Sequence, residues 1–154
     1  MRKLFEQMVR EMQGEKHLLP HNGETLHRQW LQNLSVIKTI DERIVAHVTL
    51  WSLYEDWFEF GTIWVPNDYR GQGLSKALFV EILRKRPRIM LTTTNPIVFH
   101  LSEEFGMRRV NFDELPPGMR EATCICPPEK IQGCTNQLYC PLKDKECRAY
   151  LQGR

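Results

Sequence analysis

The chain has 154 residues and a mass of 18.2 kDa, enough for one domain or for one domain with a small appendage. Hydrophobic residues make up 42% and charged residues 26%, and the formal net charge of +2 is too small to indicate a nucleic acid or an anionic membrane as the partner. No apolar run approaches the roughly 20 residues of a membrane span, and charged residues interrupt the first helix. We therefore expect no signal peptide and a cytoplasmic location.

The first half of the chain changes from helical to strand periodicity at about residue 35. Apolar residues first recur every three or four positions, with Leu31 among those expected to face the core. Alternation with a period of two follows, and it continues into an aromatic strand that contains Gly61. A glycine inside a strand marks a bulge or a close backbone approach. The predicted elements of this half are helices over 2–13 and 24–34 and strands over 35–40, 44–51 and 57–65.

The second half alternates helices with strands. Asn95 is a good N-cap, Pro96 suits the first helical position, and Gly106 suits the end of that helix. We expect Ala77 and Ile97 to face the core. The predicted elements are helices over 73–86 and 96–105 and strands over 89–94 and 108–112.

The composition shifts at Pro116-Pro117-Gly118, beyond which cysteine and proline become more frequent. We predict a domain over 1–115 and a Cys-rich C-terminal extension over 116–154 that packs on it. Five is an odd number of cysteines, which together with the expected location argues against a disulfide framework. Four thiolates suffice for zinc, but paired C-x-x-C spacing is absent, so reduced, unliganded thiols are favoured and no metal ligand is assigned. The cysteines are Cys124, Cys126, Cys134, Cys140 and Cys147.

A glycine-rich turn between a strand and a helix is the most informative stretch. Gly71 and Gly73 let an anion approach the backbone at the start of a helix, where unpaired amides and the positive dipole end favour negative charge. Arg70 and Lys76 add charge-assisted contacts. The alternative is a tight turn that needs glycine for its geometry alone.

Two motifs resemble the GNAT acetyltransferase superfamily. Arg70, Gly73 and Ser75 occupy the defined places of its motif A, Q/R-x-x-G-x-G/A, with Ser75 as a small departure. The segment 95–107 resembles the family's N-x-x-A-x-x-L-Y-x-x-x-G-F motif, in which Asn95, Leu101 and Gly106 match. The separation of the two motifs, on the expected elements, makes the resemblance much more specific than either motif alone.

The resemblance implies an α/β (α+β) fold: a mixed, mostly antiparallel twisted sheet with a splayed central parallel pair and flanking helices. It also implies acetyl-CoA as the cofactor, with the pyrophosphate on the turn, the pantetheine along the strand that ends at Val65, and the thioester in the wedge beside the next parallel strand, 89–94. The implied cofactor-binding residues are Ile63, Trp64, Val65, Arg70, Gly71, Gln72, Gly73, Leu74, Ser75, Lys76 and Asn95.

Acetyl transfer to an amine needs a proton acceptor and a donor for the developing oxyanion. We predict Glu59 as the base, because a carboxylate among aromatic residues has a raised pKa, with Glu55, Asp56 and His47 as alternatives. A backbone N–H of the strand over 57–65 is the expected oxyanion donor.

The catalytic acid is where the family pattern breaks, because Ser102 replaces the usual tyrosine. A serine hydroxyl is a far weaker acid than a phenol. One alternative is that Ser102 orients a water or hydrogen-bonds to the sulfur. The other is that a tyrosine or solvent protonates the thiolate. The tyrosines considered are Tyr54, Tyr69 and Tyr139.

The predicted function is that of an acetyl-CoA-dependent N-acetyltransferase acting on a small amine or an amino acid. The segment 113–117 faintly resembles the end of small acetyltransferases similar to N-acetylglutamate synthase, which favours an amino acid. A CoA-binding sensor and a zinc-dependent interaction module are the alternatives. The sequence leaves the oligomeric state open between a monomer and a homodimer.

Overall fold

A computed structural model describes residues 1–15, 18, 21–111, 114–122 and 148–153. The helices in these ranges are α1 (Arg2–Met12), α2 (Gly23–Leu31), α3 (Leu74–Leu83), α4 (Pro96–Glu104) and α5 (Pro117–Ala122). The strands are β1 (Ser35–Ile40), β2 (Arg43–Tyr54), β3 (Trp57–Trp64), β4 (Ile89–Thr93), β5 (Arg108–Val110) and β6 (Arg148–Gln152). They form one sheet in the order β1-β2-β3-β4-β6-β5, which is mostly antiparallel with a parallel pair, as the sequence predicted.

The chain divides into two compact units, and β2 and β3 run through both. The first unit consists of Met1–Trp51 and Phe60–Pro87, and the second of Ser52–Glu59 and Arg88–Arg154. The predicted division into 1–115 and 116–154 stays a prediction, since most of the second segment lies outside the described residues.

In the first unit, α1 and α2 pack on one face of the hairpin formed by β1 and β2. The two strands are antiparallel, with Val36 opposite Val48. Burial of apolar side chains from both helices and both strands stabilises this arrangement. The buried core here comprises Phe5, Met8, Met12, Leu26, Ile44 and Trp64.

In the second unit, β6 lies between β4 and β5 and is antiparallel to both. The sequence analysis placed these residues in the C-terminal extension and did not predict this strand. Its Ala149 and Leu151 join a buried cluster with Trp57 and Met90. The last described residues of the chain therefore contribute to the core of this unit.

Three residues predicted to face the core are exposed instead. Leu31 is 66% and Ile97 64% exposed, and Ala77 is exposed on α3. Leu31 is the last residue of α2 and Ile97 lies in the first turn of α4, where a helix end turns side chains toward solvent. In α3 it is Phe79 that faces the core, and its ring centroid lies 4.9 Å from that of Phe60.

Among the helices in the described ranges, none has the length and apolar character that crossing a bilayer requires.

The close packing of α1 on α2 predicts that Gly23→Ala destabilises the protein. A Cβ at Gly23 would lie 2.8 Å from the backbone Cα and N of Glu6, so the helices must separate to admit it. We expect the free energy of unfolding in urea to fall by about 1–3 kcal/mol. The exposed substitution Gln32→Ala serves as the control and should stay within about 0.5 kcal/mol of wild type. Equal stability of the two variants would contradict this packing.

Candidate functional site

Helix α3 follows a turn in which two glycines have a left-handed backbone. Gly71 has a φ of 77° and Gly73 a φ of 76°, and a Cβ added at either would meet no atom of the described residues within 4 Å. Glycine adopts such angles without steric cost. The space beside this turn is therefore open to a ligand.

The first amides of α3 precede the hydrogen-bond ladder of the helix. The Ala77 N–H donates to the Gly73 carbonyl at 3.1 Å, so the amides of Leu74 and Ser75 come before the first helical bond. Gly73 is the N-cap and has no side chain that could accept from them. The positive end of the helix dipole lies at the same place. These residues fit a diphosphate.

Arg70 fixes the geometry of the loop that enters this turn. Its Nε donates to the Val65 carbonyl at 2.9 Å, and its Nη2 donates to the Glu15 carboxylate at 2.6 Å. The side chain therefore joins the end of β3 to the segment after α1. The sequence predicted a phosphate contact for Arg70 but not this pairing.

A second arginine binds the same loop to α1. Arg43 Nη2 lies 2.8 Å from Glu11 Oε2, and Arg43 Nη1 lies 2.6 Å from Asp68 Oδ2. The hydrogen bonds from Arg43 hold the pKa of Asp68 below its ordinary value. Sequence reasoning missed this bridge, because Glu11, Arg43 and Asp68 are far apart in the chain.

The backbone of β3 departs from regular strand geometry after Gly61. The close approach that the sequence predicted there is confirmed, because a Cβ at Gly61 would lie 2.8 Å from Trp51 Nε1. The next residue, Thr62, has a φ of 55°, a left-handed conformation that is costly for a β-branched residue. Such strain persists only where the surroundings hold it in place. The strand thus changes direction just before Ile63, Trp64 and Val65, the residues predicted to bind pantetheine.

His47 holds the irregular residue of β3. Its Nδ1 lies 3.2 Å from the Thr62 carbonyl oxygen, and because a carbonyl only accepts, Nδ1 carries the proton. Its side chain is fully buried, and burial lowers the pKa of His47 to about 3. Nε2 has no hydrogen-bond partner among the described residues. A neutral, buried imidazole of this kind is a poor base at pH 7.

Glu59, the predicted base, is half-buried in the second unit. Burial raises the pKa of its carboxyl group, and a hydrogen bond from Thr92 Oγ1 at 3.4 Å offsets part of that effect. A carboxylate with a raised pKa is a better proton acceptor than an ordinary one. Sequence reasoning did not identify Thr92.

The other predicted bases have different environments. Asp56 accepts two hydrogen bonds from Arg88, at 2.7 and 2.9 Å, so its carboxylate is already paired with a cation. Glu55 is exposed in the turn between β2 and β3. The geometry favours Glu59 over both of these and over His47.

Two predicted residues of the second motif have structural partners. Asn95 caps α4, as predicted, by accepting the Ile97 N–H at 3.0 Å. Ser102 is fully buried, and its hydroxyl donates to the Val98 carbonyl at 2.8 Å, one turn earlier in α4. Its proton is therefore engaged within the helix.

The five cysteines and Tyr139 lie outside the described residues. Within the described ranges, no group of three or more His, Cys, Asp or Glu side chains is arranged to hold a metal ion. The prediction of unliganded thiols stays a prediction.

The two motifs fall within one family match. The model of the acetyltransferase (GNAT) family matches residues 3–107. The chain belongs to this family. The predicted recognition and the predicted use of acetyl-CoA by an N-acetyltransferase are thereby confirmed.

Solved structures share the fold of this GNAT acetyltransferase at low sequence identity. N-acetylglutamate synthase from Neisseria gonorrhoeae, complexed with coenzyme A and N-acetyl-glutamate, has a TM-score of 0.64 and 17% identity over 97% of this chain and 32% of that enzyme. This chain therefore spans about a third of the synthase. Rv2747 from Mycobacterium tuberculosis, in a complex that includes CoA, has a TM-score of 0.65 and 18% identity over 99% of this chain and 93% of its own.

A third structure is Naa50 from Arabidopsis thaliana, in complex with the bisubstrate analogue CoA-Ac-MVNAL. Its TM-score is 0.61, with 14% identity over 99% of this chain and 93% of its own. No curated protein matches the chain. Identities of this size establish a common fold and leave the acceptor open.

The raised pKa of Glu59 predicts a loss of stability when the carboxyl group ionises. An unfolded chain releases this proton near pH 4.3, whereas the folded protein keeps it to a higher pH. Between the two pKa values the folded state binds more protons, so the free energy of unfolding falls as the pH rises. Glu59→Gln should therefore gain stability relative to wild type as the pH rises from about 4 to about 7. Urea denaturation across this range measures the difference, with Glu42→Gln in an exposed turn as the control, and a constant difference would contradict the burial of Glu59.

Proposed function

We propose that the protein transfers the acetyl group of acetyl-CoA to a primary amine of a small molecule or amino acid, by direct attack of the amine on the thioester. The observation that carries this proposal is the start of α3, where left-handed glycines leave open space beside amides that precede the helical ladder. That arrangement suits a diphosphate.

Each part of the cofactor has a proposed partner in the first unit. The amides of Leu74 and Ser75 bind the diphosphate, and Arg70 and Lys76 add positive charge. The backbone of β3 from Ile63 to Val65 pairs with the pantetheine amides as an added strand does. Gln72, which is exposed, borders the same turn. When bound, acetyl-CoA supplies an acetyl group activated as a thioester.

Glu59 takes the proton of the attacking amine. An amine attacks only in its neutral form, so a group must accept the proton directly or through a water. Burial of Glu59 supports this role, as does the contact of its carboxylate with the neutral Thr92 hydroxyl, whereas the Asp56 carboxylate is paired with Arg88.

Solvent, rather than Ser102, protonates the departing thiolate. The Ser102 hydroxyl is buried and already donates within α4, so it offers no proton to a sulfur atom. A thiolate whose thiol has a reference pKa near 8.5 takes a proton from water readily at pH 7. We therefore assign Ser102 to the packing of α4.

Two structural neighbours and one sequence segment favour an amino acid as the acceptor. The synthase and Rv2747 cover nearly all of this chain, and the synthase is complexed with an acetylated amino acid. The segment 113–117 resembles the same class of enzyme. A CoA-binding sensor without turnover, or an interaction module that uses the cysteines, is an alternative outcome of the experiments that follow.

The first experiment measures cofactor binding by calorimetry. Arg70→Glu removes the charge beside the turn and sets a second carboxylate against Glu15, so we expect acetyl-CoA affinity to fall by at least about tenfold. Arg84→Glu makes the same charge change at the exposed C-terminal end of α3 and should bind as wild type does. Absence of heat with the wild-type protein and either CoA or acetyl-CoA would exclude the proposed function.

The second experiment measures free CoA released during incubation with a panel of amines. Ser102→Ala should keep substantial turnover, since its hydroxyl has no role in the chemistry. Glu59→Gln should bind acetyl-CoA normally but lose about 10²–10⁴-fold in turnover. A collapse of kcat in Ser102→Ala with intact cofactor binding would show that the hydroxyl is the acid, and no amine-dependent turnover in wild type would favour the sensor.

A further inference from the structure

We propose that His47 is a positioning residue that aims the Ile63 N–H at the thioester oxygen. The inference rests on the proposed function, because it assigns the oxyanion donor of that reaction to one peptide group of β3 and explains what holds it. His47, Thr62 and Ile63 all belong to the first unit.

The orientation of one peptide plane carries the argument. The Thr62 carbonyl points toward His47, which donates to it from Nδ1. The peptide bond to Ile63 is trans, and in a trans peptide the carbonyl and the following N–H point in opposite directions. The Ile63 N–H therefore points away from the imidazole ring.

Because the backbone of Thr62 is left-handed, the orientation of the 62–63 peptide depends on the hydrogen bond from His47. A β-branched residue at a φ of 55° is strained. Loss of the histidine donor would also leave a buried carbonyl without that hydrogen bond, which is unfavourable. The strand can then relax by turning the 62–63 peptide, which moves the Ile63 N–H.

The surroundings of His47 hold its ring in one orientation and one tautomer. The Phe5 ring packs edge-on against it, with centroids 6.0 Å apart at 89°. Nε2 is buried without a partner among the described residues, so the side chain costs stability that an apolar residue would not. The hydrogen bond from Nδ1 to the Thr62 carbonyl offsets part of this cost.

The chemistry of the reaction gives this hydrogen bond a function. Negative charge develops on the thioester oxygen as the amine attacks, and a fixed N–H donor stabilises it most when no reorganisation is needed. The same N–H donates to the uncharged thioester carbonyl oxygen in the ground state. CoA, which lacks the acetyl group, cannot use it.

The test compares His47→Leu with His47→Asn. Leucine removes the donor at similar volume, whereas the Asn Nδ2 atom occupies nearly the position of His Nδ1. We expect His47→Leu to bind CoA within about twofold of wild type, to lose the preference for acetyl-CoA over CoA, and to lose about 10²-fold in kcat. His47→Asn should recover most of both losses.

A matched control is His27→Leu, which makes the same change in a histidine whose ring centroid lies 5.5 Å from that of Phe5. Within the described residues His27 has no hydrogen bond to β3, and it has no role in the proposed chemistry. It should leave the acetyl-CoA to CoA affinity ratio and kcat unchanged. If His47→Leu does not fold, His47→Gln replaces it, since the Gln donor lies one atom beyond Nδ1 and should fail in the same way.

Three results would overturn the proposal: an unchanged affinity ratio in folded His47→Leu or His47→Gln, no recovery in folded His47→Asn, or an equal loss in His27→Leu. Failure of the proposed function looks different, because the wild-type protein would then show no binding of acetyl-CoA at all.

Discussion

Backbone amides that lack a helical partner at the start of α3 are the constraint from which the rest of the site follows. A helix dipole and uncapped N–H groups attract an anion, and only glycine allows that anion close to the chain at Gly71 and Gly73. The preceding loop must then be rigid, and Arg43 and Arg70 make it so through carboxylates near the end of α1. The proposed anion site and the ion pairs that hold its loop therefore form one structural unit.

Catalytic roles divide among side chains according to how each is desolvated. Burial raises the pKa of Glu59, the proposed base, whose partner among the described residues is the Thr92 hydroxyl, whereas Asp56 is paired with Arg88. His47 is so deeply buried that it stays neutral, and its value lies in a fixed N–H rather than in titration. The environment, not the residue type alone, separates a base from a positioning group.

The elements with strong local signals were predicted well from the sequence. The β1 boundaries and the Asn95 cap are confirmed, because alternation and capping depend on neighbouring residues. The helix that follows the glycine turn was predicted for the same reason. Strand β6 was missed, since its five residues pair with strands far away in the chain and carry no turn signal nearby.

Contacts between distant residues account for what the sequence did not predict in the site. The His47 hydrogen bond, which holds the Thr62 conformation, joins residues 15 positions apart in the chain. The pairing of Arg70 with Glu15 joins residues 55 positions apart. Leu31, Ala77 and Ile97 fit an apolar period but lie at positions that the packing leaves in solvent. Periodicity identifies a helix face more reliably than it identifies which end of that face is covered.

The pairing of Arg70 with Glu15 means that its guanidinium never stands alone. In the proposed complex, a diphosphate at the turn would compete with a carboxylate that already occupies the arginine, so binding at this residue would exchange one anion for another. The ion atmosphere around the arginine would change little in such an exchange, and the affinity for the cofactor would depend less on ionic strength than it would with an unpaired cation.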